Sequence, residues 1–499
     1  MRHIMHSKHF LSVELILTLS LLVGSAFAQP DLNWSHSYGG AINDVGRGVT
    51  FNLEGDIAIC GDVSARGGLN PWIMKLRSEG DSIWHTQFGS EEYEDMPWAI
   101  VACPNGGYTV AGRSQQLNPP TYIFTISKFT ENGEVTWERA YGEPRENGTP
   151  YSIMADEEEN YYLAGHRRVP VDDINYADDA ALMKVSSDGD LIWSRHYGAN
   201  IGEHGNNAMR TSDGGFAIVG DAWIEGSDML TPIAFMTKVD QDGNLQWMRT
   251  YGDTAVGVQG RAIIELRNGC YVLGCDSYNN NWANLTLIWL TSQGDSITSR
   301  TYFNDFLNYT VRMMTLENGD ILVCGVKANP YEPSDFWIIR LNPDGDIRWE
   351  VSYGGRGGEE MYGACLSPDG GVIAVGATDS YGNGTREYSD VWVIRTAPLP
   401  IDLSTPILPA LPRDYQMVDL FPNPFNNTAV TRITLPGVKP GSATLYDVNG
   451  RMVWWSSLRG TPAATQEFRL DGANLPVGRY QLVVKQGDYS ARKAVVVIK

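Results

Sequence analysis

Cationic side chains are scarce in this 499-residue chain: 38 Lys and Arg stand against 59 Asp and Glu, for a formal net charge of −21. Phosphate contacts need clustered Lys and Arg, so nucleic acid is disfavoured as a partner. Cysteine is rare, at six. Cys60, Cys103, Cys270, Cys275, Cys324 and Cys365 form no CxxC pair and no zinc-ligand spacing, and they sit in apolar runs such as Ile57-Ala58-Ile59-Cys60. They read as small buried hydrophobes in preference to a disulfide framework. Beyond the amino terminus no stretch is long and apolar enough to cross a bilayer, so no transmembrane segment is expected in the mature chain. No segment keeps a long helical period. HExxH, GxSxG and phosphate-loop motifs are missing, which leaves no named reaction and no catalytic residue to assign. The Asp-rich runs at Asp188-Gly189-Asp190, Asp240-Gln241-Asp242-Gly243 and Asp344-Gly345-Asp346 lie in short hairpins, whereas calcium needs six or more oxygens from a longer loop. No metal and no cofactor are expected.

Glycine, by contrast, is abundant at 53, and aromatic residues make up 11% of the chain, enough for a large core. Residues 1–28 read as a signal peptide. Arg2 and Lys8 give a positive start, Phe10 to Val23 is apolar apart from Glu14 and a few hydroxyls, and Ala26-Phe27-Ala28 supplies a small-residue cleavage site before Gln29.

Internal repetition is the strongest signal. Trp34, Trp84, Trp137, Trp193, Trp247 and Trp349 recur at intervals of about 50 residues or twice that, with Thr298 where the intervening Trp is due. An aromatic-Gly pair follows most of them, as in Tyr38-Gly39, Phe88-Gly89, Tyr197-Gly198 and Tyr353-Gly354. Each unit holds four short strand signals separated by turns such as Asp213-Gly214 and Asp242-Gly243, whose glycines supply the positive φ that tight hairpins need. Four antiparallel strands repeated every 50 or so residues predict propeller blades.

Seven first-hairpin turns predict seven blades. The ends differ in phase: the mature chain opens on what reads as a fourth strand, Leu32 to Tyr38, and the last unit stops after a third strand, Asp390 to Thr396, before Pro398 and Pro400. The amino-terminal strand is therefore expected to complete the seventh blade and close the ring. The units resemble the bacterial β-propeller repeat family, with its Trp, Tyr-Gly-Gly, acidic residue and Asp-Gly turn, over about residues 31 to 397. That resemblance implies a fold and no particular activity.

Residues 398–417 are Pro-rich and read as a stiff linker. Residues 418–499 carry ten Lys or Arg against five Asp or Glu, opposite in sign to the rest. This segment resembles the type A C-terminal sorting domain of type IX secretion cargo. The matching residues are Pro422-Asn423-Pro424-Phe425, Asp447-Val448-Asn449-Gly450-Arg451, Gly478-Arg479-Tyr480 and the end at Lys499. The resemblance implies type IX machinery as a partner and delivery to the outer surface or exterior of a Gram-negative bacterium. The turn at Asn449-Gly450 between alternating strands predicts a small antiparallel β-sandwich. The expected fold is thus all-β: residues 1–28 a signal peptide, 29–397 the propeller, 398–417 the linker and 418–499 the sorting sandwich.

Candidate ligand contacts fall at one end of the blades. Acids recur just before the first strand, at Asp44, Glu94, Asp95, Glu203 and Glu359, and Trp223 and Trp282 mark the variable loops between second and third strands. Aromatics beside acids suit a glycan or protein ligand. The leading expectation is a non-catalytic binding or adhesion propeller, secreted or held at the cell surface. The rival is an extracellular polysaccharide hydrolase or lyase using the channel-mouth carboxylates as acid and base.

Overall fold

The computed structural model describes residues 30–399 and 418–497, apart from 53, 66–67, 91–93, 118–119, 143–146, 171–175, 199–201, 224–230, 253–255, 280–281, 303–306, 329–331, 383–387, 422–427, 435–440, 448–451, 459–464, 472–474 and 487–488. The signal-peptide and linker readings, apart from Pro398 and Leu399, lie outside these residues. Every regular element among the described residues is a strand, numbered β1 to β35 in chain order.

Seven four-stranded antiparallel sheets account for β1–β28. The first is β2 (Asp44–Phe51), β3 (Ile57–Ala65), β4 (Gly68–Leu76) and β5 (Ser82–Gln87), in that spatial order. The next five repeat it. The last places β26 (Glu359–Leu366), β27 (Val372–Thr378) and β28 (Asp390–Thr396) in order and takes β1 (Leu32–Tyr38) as its outer strand, pairing Ser35 with Ile394 and Tyr38 with Val391. The first strands of successive sheets touch in a cycle that includes β26 against β2. The fold is a β-propeller.

The middle strands explain why these sheets stack face to face. In β27 and β28 every residue is buried, so both faces are covered and the sequence shows no alternation. The fourth strands leave most positions exposed or half-buried, as expected at an outer rim.

One joint locks successive blades. At four joints the fourth-strand Trp sits against the glycine of the next blade's last hairpin: Trp84 on Gly133, Trp137 on Gly189, Trp193 on Gly243 and Trp247 on Gly294. These glycines have φ between 78° and 86°, and a Cβ on them would fall about 3 Å from the indole, so no other residue fits both demands. The Trp indole N–H donates to the same turn, Trp34 to Ser78 O at 3.0 Å and Trp137 to Ser187 O at 3.1 Å. The following Tyr hydroxyl donates to the turn glycine's carbonyl, as Tyr141 does to Gly189 at 2.7 Å and Tyr197 to Gly243 at 2.8 Å.

Two blades depart from this pattern and compensate. Where Thr298 replaces Trp, its cross-strand partner Trp289 fills the gap, packs on Gly345 and donates to Pro343 O at 2.9 Å. Where Phe88 lacks a hydroxyl, Thr86 Oγ1 donates to Gly133 O at 3.1 Å. At the seam, Tyr353 donates to Pro30 O at 2.8 Å, so the segment leading into β1 stands where a hairpin would.

The repeated cation of the third strand pairs with acids at the opposite end from the candidate site. Lys238 meets Asp213 at 2.9 Å, Arg340 meets Asp320 at 2.8 Å and Arg395 meets Asp369 at 2.8 Å. The buried apolar stem lies between sheets and the charge is matched. All six cysteines are free thiols, four of them fully packed away.

The carboxy-terminal residues form a three-stranded sheet, β29 (Val418–Phe421), β30 (Thr428–Thr434) and β33 (Thr465–Asp471), and a four-stranded sheet of β32 (Met452–Leu458), β31 (Gly441–Asp447), β34 (Gly478–Gln486) and β35 (Tyr489–Val497). Ile433 and Leu470 of one sheet share a core with Leu445, Leu482 and Val495 of the other, which makes a sandwich.

Candidate functional site

The innermost strands are the first of each blade: β2, β6 (Glu94–Ala102), β10 (Gly148–Ala155), β14 (Glu203–Arg210), β18 (Gly257–Glu265), β22 (Leu307–Thr315) and β26. Each breaks register once against its neighbour, at the same place in the blade. The extra residues are Arg47, Trp98, Tyr151, Asn206, Arg261, Val311 and Tyr362. A bulge re-aims a side chain that the ladder would otherwise hold, and here it happens seven times around one axis.

The bulge residues touch from blade to blade. The Arg47 guanidinium lies between two rings, 4.9 Å from the Trp98 centroid and 5.0 Å from that of Tyr362. Trp98 meets Tyr151 edge-on at 5.0 Å, Tyr151 meets His166 at 5.7 Å, and His166 stacks on His204 at 4.5 Å. Arg113 lies 4.3 Å over Tyr122 and 5.9 Å from Trp98. All of these side chains are half-buried, so the chain of contacts forms a wall that solvent reaches.

Residues that follow the second strand's Gly hold part of this wall in place. Asp62 pairs with Arg47, and Asp221 accepts from Asn206. Asp276 meets Arg261 at 2.9 Å. Between the last and first blades a cavity of about 320 Å³ opens on Arg47, Asp62, Glu360, Tyr362, Asp379 and Ser389, at the small end of ligand-sized clefts of about 300–1,000 Å³.

The two stacked imidazoles are shifted in opposite directions. His204 Nε2 lies 3.4 Å from Asp178, and that hydrogen bond raises its pKa above the ordinary imidazole value. His166 is pushed down to about 4 by burial and by the positive charge of His204 beside it. The buried Nδ1 of His166 has no partner among the described residues.

The sequence-expected acids stand at the same end of the blades and cap backbone there. Asp44 Oδ2 accepts from Gly40 N at 2.9 Å, Asp95 Oδ2 from Ser90 N at 2.9 Å, and Glu359 Oε2 from Gly355 N at 2.9 Å. Glu203 and Glu359 are wholly buried, and Asp95 is 9% exposed. Burial raises the Asp44 carboxyl above its usual range, helped by Asp390. Glu94 is half-buried and packs on Gly68. Trp223 ends β15 (Phe216–Trp223) half-buried, its N–H on Gly202 O at 3.1 Å. Trp282 begins β20 (Trp282–Leu290), paired with Asn279, and its side chain is outside the description.

In the sandwich, Asp447 pairs with Tyr480 across β31 and β34, and the Tyr480 hydroxyl donates to Pro476 O at 2.7 Å. Gly478 begins β34. Pro422, Asn423, Pro424, Phe425, Asn449, Gly450, Arg451 and Lys499 lie outside the described residues. No described helix is long and apolar enough to cross a membrane.

Sequence reasoning missed Arg47, Trp98, Tyr151 and Tyr362. A signal was present: a Gly or Pro directly precedes the bulged residue in five of seven blades, as in Gly46-Arg47-Gly48 and Pro97-Trp98-Ala99.

Taken together, the closed set of sheets and the sandwich define a propeller protein with a separate tail. Residues 419–499 match the family described as "Secretion system C-terminal sorting domain". The tail is a type IX sorting domain, and it marks the chain for secretion or cell-surface delivery by a Gram-negative bacterium. Among solved structures, a protein of unknown function from Dyadobacter fermentans is similar at 8% identity, with 74% of this chain and 98% of that chain covered and a TM-score of 0.48. PorZ, a surface component of the type IX secretion system of Porphyromonas gingivalis, is similar at 10% identity over 90% of this chain and 59% of its own, with a TM-score of 0.41. The polysaccharide lyase Uly1 is similar at 13% identity over 76% and 95%, with a TM-score of 0.48. No curated protein matches significantly.

Proposed function

We propose that the propeller is a non-catalytic module that binds an extracellular glycan at its channel mouth, delivered there by the sorting tail. The observation that carries this reading is the unbroken run Tyr362–Arg47–Trp98–Tyr151–His166–His204 across five blades. Aromatic faces interleaved with planar cations and imidazoles offer stacking surfaces for sugar rings and donors for their hydroxyls. Trp223 ends β15 and Trp282 begins β20, at the same end of neighbouring blades. The acids Asp44, Asp95 and Glu359 already spend oxygens on backbone amides, which favours binding over an acid–base pair built from them.

The test is an array of extracellular polysaccharides probed with the full exported chain, then with Trp98→Ala and Tyr362→Ala. Binding that falls at least tenfold in both variants supports the mouth. Unchanged affinity in both overturns it, and turnover of any bound polymer overturns the non-catalytic part.

A further inference from the structure

The mouth holds one arginine that stands apart from the acids around it. Over the second to fourth blades Glu94, Asp95, Asp178, Asp179, Glu203 and Asp221 share this end with Arg113, Arg168 and His204. Asp178 is shared, 3.3 Å from Arg168 and 3.4 Å from His204. Asp221 is engaged by the neutral amide of Asn206. Arg113 makes no ion pair among the described residues. Its one polar contact is Thr149 Oγ1 at 3.4 Å, and its guanidinium face is held by Tyr122 and Trp98.

Resting on the binding reading above, we infer that the ligand is an acidic polysaccharide whose carboxylate or sulfate groups are taken by Arg113 at the mouth, while its sugar rings lie on Trp98 and Tyr151. A fork of N–H donors matches a planar carboxylate bidentately, and Arg113 is pre-oriented for this by the rings on either side.

The experiment titrates the full exported chain with polygalacturonate, dextran sulfate and neutral laminarin of similar length. Polygalacturonate or dextran sulfate should bind at least tenfold more tightly than laminarin, with affinity falling as NaCl rises. Which of the two binds separates carboxylate from sulfate. Arg113→Ala should lose at least tenfold and Arg113→Lys less, with the melting temperature of both variants checked against the parent. Laminarin binding that depends on Trp98, with neither polyanion preferred, overturns the acidic class and leaves the mouth intact. Polyanion binding that survives Trp98→Ala and Tyr362→Ala overturns the mouth as well. Polyanion binding unchanged in Arg113→Ala overturns the assigned contact.

Discussion

Exchanging Trp289 and Thr298 tests the blade joint directly. Trp289 is 6% exposed, packs on Gly345 and satisfies the Pro343 carbonyl at 2.9 Å, and Thr298 is its cross-strand partner. In the other blades the Trp occupies the fourth-strand position and a Lys or Arg the third. Trp289→Thr removes the indole, leaves a cavity between two blades and orphans a carbonyl, at a cost of about 3–5 kcal/mol. Thr298→Trp alone adds a second indole to a filled gap and costs about 1–3 kcal/mol. The double exchange puts the indole where sister blades have it, so it should recover at least about 2 kcal/mol of the first loss. Urea unfolding of all four proteins gives this coupling as a double-mutant cycle. Additive losses, or a cost under about 1 kcal/mol for Trp289→Thr, would refute the claim that one indole per joint is the structural requirement.

Three further outcomes follow from the same geometry. Thr86→Val should cost about 1 kcal/mol by urea unfolding, and adding Phe88→Tyr should restore it, because the tyrosine hydroxyl then reaches the Gly133 carbonyl as its sisters do. Removing residues 29–40 should lower the melting temperature sharply, since it strips β28 of its ladder partner; a shift of only a degree or two would count against closure by β1. His166, surrounded by His204, Asp178, Arg113 and Arg168, titrates at about 4 when folded and about 6.5 when unfolded. Its folded value is the lower one, so stability falls as pH drops from about 6.5 to 4, by at most about 3 kcal/mol. His204 acts oppositely, its raised value adding stability that is lost as pH rises. His166→Asn should therefore show a smaller acid-side loss than the parent between pH 7 and 4.5, and equal losses would contradict the assignment.

The blade repeat was legible because its constraints are local: a turn needs Gly, a gap needs Trp, and both recur at fixed spacing. The seam was legible from the phase of the two ends. The acids before the first strand stand at the mouth end of the blades, and Glu203 and Glu359 are buried there; a carboxylate that caps a loop and one that meets a ligand look alike in sequence. The wall itself was harder to read. Arg47, Trp98, Tyr151 and Tyr362 share a register position and no single residue type, so a search for one repeated residue passes over them. Only the Gly or Pro before five of the seven bulges repeats, and its meaning depends on knowing which strand is innermost.

Hydrogen exchange of the full chain with and without saturating polygalacturonate tests the central claim, that ligand meets the wall of bulge residues. Protection should concentrate in peptides covering β6, β10, β14 and β26, which carry Trp98, Tyr151, His204 and Tyr362. Protection confined to the outer strands or to the sandwich, or none at all, would contradict it.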